Sequence, residues 1–430
     1  MNNAVVLAAE EFVLDTGNTA WILTSATLVL MMTVPALAFF YGGLVRAKSV
    51  LNMMMLSFGV AAVVGIVWVL WGFSMAFGSD VGGIIGKPGE YFALHNIEGM
   101  DGFLGGVPGY VFVGFQATFA IITVALISGS LADRVRFGPW LAFVALWATL
   151  VYFPLCHWVW GGGFLGGAWF LEDSLPAPID FAGGTVVHIN AGMAGLVLAI
   201  IIGKRKGFGK EPMRPHNVPF VMLGAALLWI GWFGFNAGSA GAADAVAGLA
   251  WVNTTVATCG AMLGWVLTER IKDGKPTSVG AASGVVGGLV AITPAAATVS
   301  PLGAIILGFI AGILCALAVS LKYKLGYDDS LDVVGVHLVG GLTGTVLIGF
   351  LSVDSGLLYG HGGKQLVTQI IAALIAVAYS GVVTAILGLL VKVTIGWRVT
   401  EAQEVAGIDL AEHGETAYET TGSGRSVAGI

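Results

Sequence analysis

Runs of about twenty apolar residues, the length an α-helix needs to cross the hydrocarbon core of a bilayer, recur along almost the whole of this chain. Eleven can be marked, at about 21–44, 50–77, 109–132, 139–160, 182–203, 218–240, 250–269, 278–299, 302–321, 331–352 and 366–391. The eighth is the weakest, because Pro294 and several glycines interrupt it. Of 430 residues, 57% are hydrophobic and only 10% charged, with a mean hydropathy of +0.89. An ordinary soluble domain carries roughly 25% charged residues, so too few polar groups remain here to coat a water-soluble surface. The 65 glycines follow no G-X-Y period, which excludes collagen, and within apolar runs they let helix backbones approach closely. The expected fold class is an all-α polytopic membrane protein with eleven transmembrane helices.

Lysine and arginine orient such a bundle, because they accumulate in cytoplasmic loops. With these spans, 17 of the 19 basic residues fall in alternate loops and the C-terminal tail, and only Lys87 and Lys364 fall on the opposite side. The expected topology is N-terminus outside and C-terminus in the cytoplasm, and one missed span would scramble the segregation. A net charge of -6 gives no basic footprint for nucleic acid. The N-terminus lacks a basic region before its short apolar stretch, so no cleaved signal peptide is expected. Cys156, Cys259 and Cys315 lie inside apolar segments without metal-ligand spacing and read as small buried hydrophobes. Residues 78–108 form a long external loop with acids Asp80, Glu90, Glu98 and Asp101, a candidate vestibule cover. The polar segment 393–430 is either a solvated tail or a cytoplasmic regulatory segment docked on the basic loops.

Ionisable residues inside spans are costly and therefore functional candidates. The fifth span opens Asp180-FAGGTVV-His188 and the tenth opens Asp329-SLDVVGV-His337. In both, Asp precedes His by eight residues, and glycines follow at the fourth and seventh positions after it: Gly192 and Gly195, Gly341 and Gly344. The copies lie five spans apart, an odd number, so the second enters the membrane upside down. This predicts an inverted repeat of five plus five spans, about 21–203 and 218–352, with the last span, 366–391, peripheral. In folds of this kind the substrate path runs near the interface of the halves, where the two histidines would meet. The marked boundaries place each histidine six residues into its span, roughly 9 Å from opposite faces at ~1.5 Å per residue. They would then differ in depth by about 12 Å in a ~30 Å core. Pairing therefore requires the helices to begin earlier or to tilt. A hydrogen-bonded imidazole pair suits a small polar molecule or proton transfer. No third His, Cys or carboxylate joins them, so no metal is expected.

The residues resemble the Amt/Mep/Rh ammonium transporter family, in its microbial Amt branch, over about residues 15–420. The strings that carry the resemblance include AFFYGGLVR ending at Arg46, GFQATFA at 114–120, ADRVRF at 132–137 and HWVWGGG at 157–163. DFAGGTVVHINAGMAGL at 180–196, PHNVPF at 215–220, GWFGFNAGSAG at 231–241, GVHLVGG at 335–341 and RVTEAQEVAGIDLAEHGETAYE at 398–419 complete the set. The resemblance implies a homotrimer with one pore per subunit, in the plasma (inner) membrane. It implies that Trp160, Ser239 and Phe119 recruit ammonium externally, with Asp180 supporting that region. It further implies that Phe119 and Phe235 stack to block the pore, and that His188 and His337 line it. Asp180 is equally read as a helix cap, Asp329 as structural, and His157 as a packing or capping residue. For the tail the resemblance implies a PII-type signal protein as partner at the cytoplasmic face.

Ammonium and potassium are alike in size and charge, so charge attraction cannot separate them. Ammonium can donate protons and become neutral ammonia, whereas an intact ion in a dry pore would cost several kcal/mol. Cation–π capture, deprotonation and ammonia conduction past the histidines would refuse potassium. The rival reading is an ammonium sensor with little flux, although receptor-like relatives often carry a further signalling domain. An enzyme is not indicated, since HExxH and GxSxG motifs are absent. A potassium channel would need a TVGYG filter, which is also absent.

Overall fold

The computed structural model describes residues 12–167 and 171–418. Arg425, counted above among the basic residues of the tail, and Glu419, the last residue of the string at 398–419, lie outside the described residues. Ten helices there are long and apolar enough to cross a membrane. They are α1 (Thr16–Leu44), α2 (Val50–Phe77), α3 (Gly109–Leu131), α4 (Phe137–Trp160), α5 (Gly184–Ile202), α6 (Val218–Ala240), α7 (Ala245–Lys272), α9 (Pro301–Leu325), α10 (Val334–Leu351) and α11 (Lys364–Thr394). Between α7 and α9 lies α8, Ser278–Ile292, of 15 residues. At ~1.5 Å per residue it spans about 22 Å, short of the ~30 Å core. Thr293 and Pro294 end it, Pro294 having no N–H to continue the ladder, and residues 293–298 run on as turns, buried over 293–296. The eighth expected span is thus a short helix completed by turns.

Side-chain caps start several of these helices. Asp15 accepts from Asn18 N, Asn217 from Phe220 N, Thr277 from Gly280 N and Ser300 from Gly303 N. Each satisfies an amide that the helix itself leaves unpaired. Glycines then set the packing distances. A Cβ on Gly308 would lie 2.0 Å from the Ala257 carbonyl oxygen, and one on Gly312 2.1 Å from that of Ala261. On the facing helix, a Cβ on Gly264 would lie 2.4 Å from the Phe309 carbonyl oxygen. Small residues spaced by four on both α7 and α9 therefore bring the two backbones into contact. Cys259 sits on the outward side of α7 and is exposed, unlike buried Cys156 and Cys315. It follows the half-buried Thr255 and precedes the exposed Leu263, so that stripe faces away from α9.

The inverted repeat is visible where α5 crosses α10. A Cβ on Gly192 would strike Leu338, the residue after His337, at 2.4 Å from its nitrogen. A Cβ on Gly341 would lie 3.1 Å from His188 Cβ. Each repeat's glycine thus leaves room for the histidine turn of the other. Helix α11 lies outside this pair and turns Val367, Leu374, Val382 and Ile386 outward. The loop 78–108 carries a short hairpin, β1 (Asp80–Val81) and β2 (Ile85–Gly86).

The described part of the tail does not project away from the bundle. After α11, residues 399–418 run under the loops at the α1–α2, α3–α4 and α5–α6 junctions. Glu404 accepts from Lys206 N at 2.6 Å, Asp409 from Leu51 N and Asn52 N at 3.1 and 2.8 Å, and Glu412 from Phe137 N at 2.9 Å. Tail carboxylates therefore cap the first turns of α2 and α4. Its own short helix, α12 (Glu401–Ala406), begins with a capping box formed by Thr400 and Gln403.

Candidate functional site

Helices α5 and α10 begin at Gly184 and Val334, later than the sequence pattern marks them, so early helix starts do not explain how the histidines meet. The polypeptide before each helix is non-helical and buried, as Asp180, Asp328 and Asp329 are. Both helix N-termini consequently start inside the protein, the one setting in which irregular backbone is tolerated at membrane depth. Asp180 supports the first of these starts. Its carboxylate accepts from the amides of Gly183, Gly184, Thr185 and Val186 at 2.8, 2.5, 2.9 and 3.1 Å and from the Thr185 hydroxyl. Asp329 does the same for α10, accepting from Val333 N and Val334 N at 3.1 and 2.8 Å. The eight-residue Asp-to-His spacing therefore lets a buried carboxylate cap a helix whose first turn carries the histidine.

Those first turns bring the Nδ1 atoms of His188 and His337 within 3.3 Å. Their ring centroids are 5.4 Å apart and nearly parallel. The cavity they line, with Phe235, Trp232 and Leu228 among its walls, measures about 10 Å³. That is the threshold for one water-sized molecule, about 10–15 Å³.

On the side of Phe235 away from the histidines lies a vestibule of about 160 Å³. Phe119, Trp160 and Ser239 all line it, with Phe77, Phe103 and Phe181. The Phe119 and Phe235 rings stack at 4.2 Å with 20° between planes, and both are buried. This stacked pair separates the vestibule from the histidine cavity. Trp160 meets Phe119 edge to face at 6.0 Å. The Trp160 indole N–H donates to the Asp180 carbonyl oxygen at 2.9 Å, so Asp180 reaches the vestibule through its backbone while its carboxylate faces α5. Ser239 donates to the Phe235 carbonyl oxygen at 2.7 Å, which leaves its oxygen lone pairs free to accept.

Two side chains were not singled out from the sequence. Gln116 lines the vestibule, and its buried Oε1 has no hydrogen-bond partner among the described residues. It stands three residues before Phe119 in the same string, a spacing that puts both on one helix face. Trp232 stacks on His188 at 5.5 Å and 19° and is held by donation to Thr293 Oγ1 at 2.9 Å. It precedes Phe235 by three residues, so α6 delivers both rings to the same point.

A family model described as Ammonium Transporter Family matches residues 20–418. The ammonium transporter of Mycobacterium tuberculosis is 56% identical over 435 residues, covering 94% of this chain and 91% of its own length. That of Bacillus subtilis is 45% identical over 415 residues, covering 94% and 98%. Among solved structures, Saccharomyces cerevisiae Mep2 superposes with a TM-score of 0.82 at 35% identity, covering 90% of this chain and 88% of its own. One described as Sensor Amt Protein superposes at 0.84 and 28% identity, covering 92% and 98%. The chain belongs to the ammonium transporter family, a family of membrane transporters rather than enzymes.

Proposed function

We propose that this protein carries ammonium or ammonia across the plasma (inner) membrane, with its N-terminus outside and its tail in the cytoplasm. Ammonium is held in the vestibule by the π faces of Trp160 and Phe119 and by the acceptor oxygen of Ser239, with Asp180 fixing the Trp160 ring. It loses a proton there. Neutral ammonia then passes when Phe119 and Phe235 swing aside, and is met by the paired imidazoles of His188 and His337. The observation that carries this reading is the Nδ1–Nδ1 contact of 3.3 Å, shut off from an aromatic vestibule by one stacked ring pair. A bare cation would lose several kcal/mol entering such a lumen, whereas ammonia can donate to one ring and accept from the other.

Two further parts of the reading concern the assembly. Residues 1–392 form the transport unit, functioning as a homotrimer with one pore per subunit. Residues 393–430 form a regulatory tail whose partner is a PII-type signal protein. The tail's carboxylate contacts to three loops support a control element rather than a loose end. The likeness to a structure described as a sensor favours a second reading, ammonium binding that signals through the cytoplasmic face with little flux.

The test is electrical. Reconstituted protein on a sensor surface is pulsed with ammonium and compared with His188→Ala and His337→Ala. A saturable current that falls in the variants supports charge transfer managed by the histidines. A rise in internal pH without current supports conduction of neutral ammonia. Neither signal, with ammonium still bound, supports the sensor and rejects transport.

A further inference from the structure

His157 lies in the last turn of α4, three residues before Trp160, and is completely buried. Its two ring nitrogens face two oxygens. Nδ1 is 3.0 Å from the Ala76 carbonyl oxygen at the end of α2, and Nε2 is 2.9 Å from Asp80 Oδ1 on β1. A carbonyl oxygen can only accept, so Nδ1 carries a hydrogen. A neutral imidazole would then turn the lone pair of Nε2 toward a carboxylate oxygen. A second proton must therefore lie between Nε2 and Asp80. Both Asp80 oxygens also accept from Gly83 N, at 3.0 and 2.9 Å, which favours the carboxylate form. The hydrogen bond from His157, followed by that from Gly83, holds the Asp80 carboxyl below its ordinary range. An imidazolium against a carboxylate satisfies both contacts at once.

The charge of this pair has few other outlets. Glu90 is tied to Ser79 through both its oxygens. Lys87 lies beyond β2 in the loop, and the Asp180 carboxylate is used by the amides of α5. On α4 itself the nearest titratable side chains are the thiol of Cys156 and the phenol of Tyr152. Asp80 is the charged group that touches the ring.

What the pair joins is the hairpin and the turn that bears Trp160. Trp158 of the same turn donates its indole N–H to the Ile84 carbonyl oxygen at 2.7 Å, and Phe164 N donates to Gly83 O at 3.0 Å. A Cβ at Gly161 would lie 1.9 Å from the Ala76 oxygen and 2.6 Å from His157 Nδ1, so the three strands of contact meet with no spare space. Resting on the vestibule reading above, we propose that His157 and Asp80 form a proton-operated clasp that holds the hairpin against α4 and so positions Trp160 for ammonium. When His157 loses its second proton, Nε2 presents a lone pair to the carboxylate, the clasp opens and capture weakens.

Asp80→Asn separates this from a merely structural role. The Asn amide can donate to Nε2 of a neutral His157, so the contact survives without the second proton. In reconstituted wild-type protein, the apparent affinity for ammonium is expected to weaken about threefold more than in D80N as the pH is raised from about 6 to about 8. Comparing the two proteins at each pH removes the substrate's own titration. Nitrogen NMR of histidine-labelled protein should show one doubly protonated ring in the wild type near pH 6 that is missing from D80N and from His157→Gln. A neutral His157 in that spectrum overturns the proposal whatever the transport data show. So do superimposable pH profiles of wild type and D80N. Absence of ammonium binding at any pH, with the doubly protonated ring present, would instead fault the vestibule reading and the positioning role while leaving the ion pair. Should D80N not fold, the wild-type spectrum alone still decides whether the clasp carries its proton.

Discussion

His188 and His337 point the same nitrogen, Nδ1, at each other across 3.3 Å. One hydrogen can lie in that gap, so the rings must be opposite tautomers. The ring that donates from Nδ1 presents a bare Nε2, and the ring that accepts presents an Nε2–H. The pair therefore shows the lumen one acceptor and one donor. His188 Nε2 is buried with no partner among the described residues, a group kept ready for something small and polar. Removing either ring leaves ammonia in the lumen short of one of its two partners, at a cost of about 1–3 kcal/mol. Conduction in His188→Ala or His337→Ala should accordingly fall ~5- to 150-fold, read as ammonium-evoked flux into liposomes. A variant at wild-type flux would remove the pair from the pathway.

The stacked rings of Phe119 and Phe235 make a separate prediction. An offset stack of this kind is worth about 0.5–1.5 kcal/mol beyond its buried area, small enough to open by rotamer change. Phe235→Ala deletes the ring that walls the histidine cavity and stacks on Phe119 of the vestibule. Water permeability of proteoliposomes, measured by stopped-flow shrinkage, should rise above that of the wild type. An unchanged rate would place the barrier elsewhere.

Much of this architecture is legible in the sequence alone. Spans were readable because apolar runs and basic loops alternate, and the starts of α2 and α6 at Val50 and Val218 match the marked residues. The paired histidines were readable because Asp, His and two glycines recur at one register. What the pattern could not supply was how they meet. Hydropathy marks the two spans from 182 and 331 as if each entered from a membrane face, whereas buried carboxylates at Asp180 and Asp329 cap helices that start inside the protein. The eighth span was overdrawn for a related reason, since residues 293–299 are mostly apolar and mostly buried without being helical. The vestibule was legible only as a resemblance, because Phe and Trp are too common here for any one to stand out. Gln116 gave no composition signal at all.

Tail docking is testable without any transport assay. Asp409 caps two amides at the start of α2, and loss of such a cap costs about 1 kcal/mol. Asp409→Ala should therefore speed hydrogen exchange over 405–418 and at 50–53, with the membrane helices unchanged. Equal exchange in both proteins would mean that the tail is held by its other contacts.

Below the membrane-spanning part of α10, Asp328 is the anchor of a buried ionic cluster. Arg205 donates to it from Nε at 2.9 Å, from Nη2 at 2.8 Å and from its backbone N at 2.7 Å, and Arg205 also reaches Asp133 at 3.1 Å. Burial pushes the Asp328 carboxyl up, but the Arg205 hydrogen bonds and the charges of Arg205 and Arg134 outweigh it and hold the group below its usual range. A carboxyl lowered by folding stabilises the protein above its unfolded value of ~3.9, and that contribution disappears as pH falls through the lower folded value. Asp328→Asn leaves Arg205 buried and short of its main partner, which for a pair of this kind costs about 3–5 kcal/mol. Thermal unfolding in detergent should show the variant well below wild type near pH 7, with the gap closing as the pH is taken below about 4. A gap that stays constant through that range would assign the loss to packing rather than to the charge.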